Sequence, residues 1–151
     1  MSLVTFTAPS VVTAPSAVTT RLLRRGAARL ADGAITAAVA LALGAVIGFG
    51  AVWFAITMPA VYAYFVLSDT TGASPGKRLV GLQVVGPDHG TLRLGAAARR
   101  EAFVLLGAVP VAGALLALAA WSTIAASVWR SPLGEGVHDR LAGGTRVVTS
   151  R

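Results

Sequence analysis

At 151 residues the chain has room for one domain. Hydrophobic residues make up 55% of it and charged residues 13%, against a soluble norm of about 25% charged. This excludes an ordinary water-soluble globule and points to lipid as the solvent, as does a mean hydropathy of +0.73. The net charge of +7 comes almost wholly from arginine, and there is no cysteine, which excludes disulfides, thiolate nucleophiles and Cys-based metal sites. The arginines flank apolar runs, so the basic balance reads as helix anchoring and orientation rather than as a nucleic-acid footprint.

Residues 1–20 carry no charge and are rich in Thr, Ser, Val, Ala and Pro. A secretory signal needs a basic start followed by an apolar core, and Pro9 and Pro15 interrupt this stretch. It reads as a disordered tail or a surface-lying arm. The first helix is expected near Arg21 to Arg25, capped by Thr19 or Thr20, with Arg21, Arg24, Arg25 and Arg29 reaching toward headgroups. From Gly33 to Leu67 the chain runs 35 residues without a charge. At helical rise that is about 52 Å, too long for one crossing of a core of about 30 Å. Residues 21–68 therefore predict a transmembrane hairpin turning at Gly48-Phe49-Gly50, with a kink at Met58-Pro59. Ala40, Gly44 and Gly48 form a ridge of small residues suited to close helix approach.

Residues 69–94 change character. Asp69 to Gly76 is turn chemistry, Lys77 to Val85 reads as β-like, Gly86-Pro87-Asp88-His89-Gly90 as a hairpin turn, and Thr91 to Leu94 as the returning strand. This predicts a small cytoplasmic β-hairpin. A further helix is expected from Gly95. Ala102 to Trp129 is uncharged for 28 residues, about 42 Å as one helix. A break near Pro110 makes 95–130 a pair of membrane segments, the first a shallow arm, and places every charge on one side, as the positive-inside rule favours. Residues 131–151 form a cytoplasmic tail. Its run Thr145 to Thr149 is strand-like and pairs with Leu82 to Val85 if both lie on one face. The fold expected is an all-α integral membrane protein: a helical hairpin bundle of two spans, then a Pro-broken third/fourth segment, with a small cytoplasmic β-hairpin. The expected location is the inner (plasma) membrane with both termini cytoplasmic.

Asp32 is the one ionisable residue inside the first apolar body and shares a helical face with Arg25 and Arg29. It reads either as a cation or proton site or as an ion pair fixing the helix entrance. Gly72 to Lys77 is one residue short of a phosphate-binding loop, and Arg78 replaces the hydroxyl residue, so nucleotide binding is rejected. Lys77 and Arg78 read as headgroup or partner contacts. His138-Asp139-Arg140 reads as an interfacial turn whose Asp139 pairs with an arginine, Arg100 being a candidate, with Glu101 beside it. Two separated histidines make a metal site improbable. No cofactor is expected.

Together these residues resemble the RDD family of small integral membrane proteins. The resemblance rests on Arg24-Arg25, Ala28 and Asp32 in the first helix, and on the loop from Ser74-Pro75-Gly76-Lys77-Arg78-Leu79 to Val84-Val85. It also rests on Arg100-Glu101 ahead of Pro110, and on the ending Gly136-Val137-His138-Asp139-Arg140-Leu141 through Val148. It implies a transport context without a substrate. The functional expectation is a non-enzymatic accessory or regulatory subunit of a membrane transport complex. The alternative is a homo-oligomeric cation/proton antiporter using Asp32. The partners expected are membrane lipid and other transmembrane subunits or further copies of the chain, not nucleic acid.

Overall fold

The computed structural model describes residues 15–109 and 111–150, with side chains described from Thr19 onward. The elements in order are α1 (Pro15–Ile47), α2 (Ala51–Thr70), α3 (Pro75–Leu79), β1 (Leu82–Val85), α4 (Leu94–Glu101), a 3-10 segment (Ala102–Ala108), α5 (Gly113–Arg130), α6 (Val137–Leu141) and β2 (Arg146–Thr149). Helices α1, α2 and α5 are long and apolar enough to cross a membrane.

Helix α1 begins at Pro15, ahead of the expected start near Arg21 to Arg25. Proline suits a first turn because its missing N–H has no helical partner there. The 1–20 tail otherwise lies outside the described residues up to position 14. The α1–α2 turn falls at Gly48, whose φ of +82° is accessible to glycine at no steric cost. Within the chain the small-residue ridge packs against this turn. The Phe49 ring occupies the space where Gly44 would carry a Cβ, and Trp53 Nε1 donates to the Ala40 carbonyl at 2.7 Å. Helix α2 runs through Pro59 as a single element.

The loop after α2 departs from the β-hairpin expected. Residues 75–79 form a short helix, because Ser74 accepts a hydrogen bond from the Lys77 N–H at 3.3 Å and Pro75 starts the turn. Strand β1 is only Leu82–Val85, and its partner is β2 from the tail, antiparallel, with Leu82 opposite Thr149 and Val85 opposite Arg146. Thr91 to Leu94 does not pair. Leu92 instead buries beside Val66, Val84 and Ala97, with Tyr62 and Val147 against them. That apolar contact outweighs a third strand, and the ladder is completed by Val147 and Val148.

The chain turns back on itself between the 3-10 segment and α5. Pro110 lies outside the described residues; Val109 and Gly113 flank the turn, and Gly113 packs against the Gly107 carbonyl. The Phe103 and Trp121 rings meet edge to face at 5.0 Å, and the Arg29 guanidinium lies 5.2 Å from Trp121. From that level α5 runs about 12 Å to the tip, whereas α1 runs about 27 Å to its end. The second hairpin is therefore shallower than the first. The described charged side chains lie from about that level toward its open end, where α3, α4, α6 and the sheet form a polar cap around the first half of α1. Below the cap the helices bury little of their surface: 11%, 17% and 11% of the apolar windows of α1, α2 and α5 are buried within the chain.

Candidate functional site

Where α1, α2 and the cap meet, ionised groups are taken out of water. Asp32, Asp69, Glu101 and Asp139 are each 0% exposed, Arg100 3% and Lys77 7%. Charges this deeply buried persist only when paired and hydrogen-bonded.

Asp32 does not pair with either arginine on its helical face. Its carboxylate accepts hydrogen bonds from the Gly76 N–H at 2.8 Å, the Tyr64 hydroxyl at 2.9 Å and the Ser74 hydroxyl. It thus ties the start of α3 to α1 and α2, and no ion pair reaches it among the described residues. The expectation of an Asp32–Arg25 or Asp32–Arg29 pair is corrected. The reason is that α3 lies flat on α1 and offers closer donors than arginines a turn or two away.

The arginines turn instead to the cap. Arg29 pairs with Glu101, and its guanidinium stacks 4.1 Å from the Phe65 ring centroid. Arg25 Nη1 lies 3.4 Å from Asp139 Oδ2. Arg100 stands at the centre: it pairs with Asp69 at the end of α2, and its Nε donates to Asp139 Oδ1 at 2.8 Å. Lys77 also pairs with Asp69. Asp139 further accepts from the Gly136 N–H at 2.9 Å and the Thr145 hydroxyl at 3.2 Å, which ties α6 to the turn before β2. Five elements are thus bound through one cluster.

Burial opposes the Arg100 charge, but the carboxylates of Asp69, Asp139 and Glu101 outweigh it and raise its pKa. Burial, and then the neighbouring Arg100, lower the Lys77 pKa despite its pairing with Asp69. Burial pushes His138 down to about 3, so it is a neutral imidazole near neutral pH. Burial alone would raise Asp139, yet Arg100 in particular holds it at about 2.

A cavity of about 150 Å³ opens beside the cluster, walled by Gly26, Phe103, Trp121 and Val128 and bordered by Arg29, Glu101 and His138. These last three each carry one buried polar atom with no hydrogen bond among the described residues: Arg29 Nη1, Glu101 Oε1 and His138 Nδ1. The site holds no group of three or more His, Asp or Glu arranged for a metal among the described residues.

Of the residues singled out from sequence, Arg25, Arg29, Lys77, Arg100, Glu101, His138 and Asp139 converge here, with Asp32 adjacent. Arg24, Arg78 and Arg140 are exposed and stand outside it. Tyr64, Ser74 and Gly76 are partners that sequence reasoning missed as such. The signal for the last two is the Ser-Pro-Gly-Lys helix start, which reads along the chain as a turn before a strand.

None of the curated proteins or solved structures matches the chain. The family model of the RDD family matches residues 19–143, a stretch that takes in Arg25, Asp32, Asp69, Lys77, Arg100 and Asp139. The chain belongs to the RDD family and is a multi-pass membrane protein.

Proposed function

We propose that this protein is a non-enzymatic accessory or regulatory subunit of a membrane transport complex, held in the plasma membrane with its polar cap in the cytoplasm. The observation that carries the reading is the sparse burial of its three long helices, at most 17% of any apolar window. Helices so little covered by their own chain enclose no polar path, and they offer wide apolar faces to helices of other subunits. The cap is the opposite: a cross-braced block whose buried charges are spent on holding elements together. The uncharged turns at 48–50 and 109–112, with the described basic residues toward the other end, support a cytoplasmic cap.

The test is affinity purification of the full chain from its native membrane in mild detergent. Stoichiometric, unrelated membrane subunits support the reading; a pure homo-oligomer opposes it. The antiporter alternative draws on a crevice of about 120 Å³ between α1 and α2, which is lined by Thr36, Thr57 and Tyr64 and leads toward Asp32. Reconstituted cation/proton exchange that is lost in Asp32→Asn, with the folded fraction unchanged, would favour it. Exchange absent from the wild-type chain excludes it.

A further inference from the structure

A groove of about 740 Å³ runs along the cap between the first turns of α1 and strand β2. Arg21, Arg24, Arg25 and Arg146 line it, with Leu133 and Val148, and no carboxylate is among its lining residues. Arg25 is engaged by Asp139, and Arg146 Nε by Glu135 Oε1 at 2.7 Å. Arg21 and Arg24 have no carboxylate partner among the described residues, and both are exposed. Residues 1–20 carry no ionisable side chain, so that stretch supplies no carboxylate to them. Spaced three apart, they project from one face of α1.

The groove also has a defined height. Helix α5 ends at Arg130 with Trp129 72% exposed, the pattern of an interfacial aromatic anchor. Leu133, 62% exposed, follows three residues later and lines the groove. Leu23, 69% exposed, sits between the two free arginines in sequence. A basic trough with apolar side chains at its rim, one step beyond the end of a membrane helix, matches an anion that carries acyl chains.

We infer that this groove binds the phosphate headgroup of an anionic phospholipid, with Arg21 and Arg24 as the contacting guanidiniums. Two guanidiniums that have no carboxylate partner among the described residues favour a phosphodiester that carries net negative charge over a zwitterionic headgroup, whose ammonium they would repel.

The test uses the full chain in an uncharged detergent. Short-chain phosphatidylglycerol, short-chain phosphatidylcholine and inorganic phosphate are titrated separately, and binding is read by thermal shift and by native mass spectrometry. Phosphatidylglycerol is expected to bind and raise Tm, with little response to the other two. In Arg21→Gln/Arg24→Gln the apparent Kd for phosphatidylglycerol should rise about tenfold. The Tm without lipid should hold, because neither side chain braces the fold. Arg93→Gln, an exposed arginine outside the groove, should leave the lipid response at the wild-type level. Wild-type binding by the double variant would overturn the inference, as would equal binding of phosphatidylcholine. A response to inorganic phosphate matching that to the lipid would also overturn it, in favour of a free-anion site.

Discussion

Gly76 of α3 lies directly on the α1 backbone at Ala28, so close that a Cβ at 76 would overlap the Ala28 carbonyl and the Asp32 carboxylate. Glycine is needed here for proximity rather than for its dihedral freedom. The contact lets the Gly76 N–H reach Asp32 at 2.8 Å. Gly76→Ala is therefore expected to destabilise the cap by about 2 kcal/mol, as overpacking against backbone does. Gly26, on the same helix as Ala28, has nothing within 4 Å of an added Cβ. Gly26→Ala should stabilise by up to about 1 kcal/mol through helix propensity. Opposite Tm shifts for these two variants in detergent would check both placements, and equal shifts would contradict them.

Arg100 braces α4 to α2 through Asp69 and to α6 through Asp139. Arg100→Met keeps much of the volume but strands buried carboxylates. The expected loss is about 3–5 kcal/mol, the usual cost of breaking a buried pair by removing one partner. Arg100→Lys should also lose stability, because one ammonium does not reproduce a guanidinium that addresses two carboxylates at once. The exposed neighbour Arg99 provides the comparison: Arg99→Gln should shift stability by less than about 0.5 kcal/mol. Thermal unfolding and limited proteolysis between α5 and β2 measure all three.

Stability should fall on acidification in two stages. Burial lowers His138 from an ordinary 6.5 to about 3 in the folded protein. Between those values the unfolded chain binds a proton that the folded chain refuses, so folding loses stability as pH drops through that window. The loss reaches up to roughly 5 kcal/mol. Asp139, lowered from 3.8 to about 2 chiefly by Arg100 against the burial that would raise it, adds a further loss below about pH 4. His138→Gln should remove the first stage and keep the second. A Tm-against-pH profile of both proteins decides it; a variant that declines from pH 6.5 as the wild type does would show that His138 is not the group responsible.

Much of this architecture is visible along the chain. The apolar runs, the glycine turn at 48–50 and the return near position 110 follow from hydropathy and turn residues, and an arginine partner for Asp139, with Arg100 as one candidate, follows from the excess of basic over acidic residues. The short helix at Pro75–Leu79 does not, although its Ser-Pro start is a helix signal, because the β-branched run that follows masks it. The partner of β1 is narrowed to two candidates: Thr91 to Leu94 and Thr145 to Thr149 are both strand-like, and only the burial of Leu92 in the core removes the first from contention.

Asp32 shows where the boundary lies. Its neighbours in sequence are arginines one and two turns away, and helix geometry alone would pair it with them. Chain-local chemistry dictates which stretches enter lipid, since transfer free energies add up residue by residue over a span. Folding back of the loops dictates which acid meets which base. A guanidinium or carboxylate at the membrane boundary accepts any partner within reach, and packing so close that only Gly76 fits against Ala28 brings α3 to Asp32 and leaves Arg25 and Arg29 to the cap.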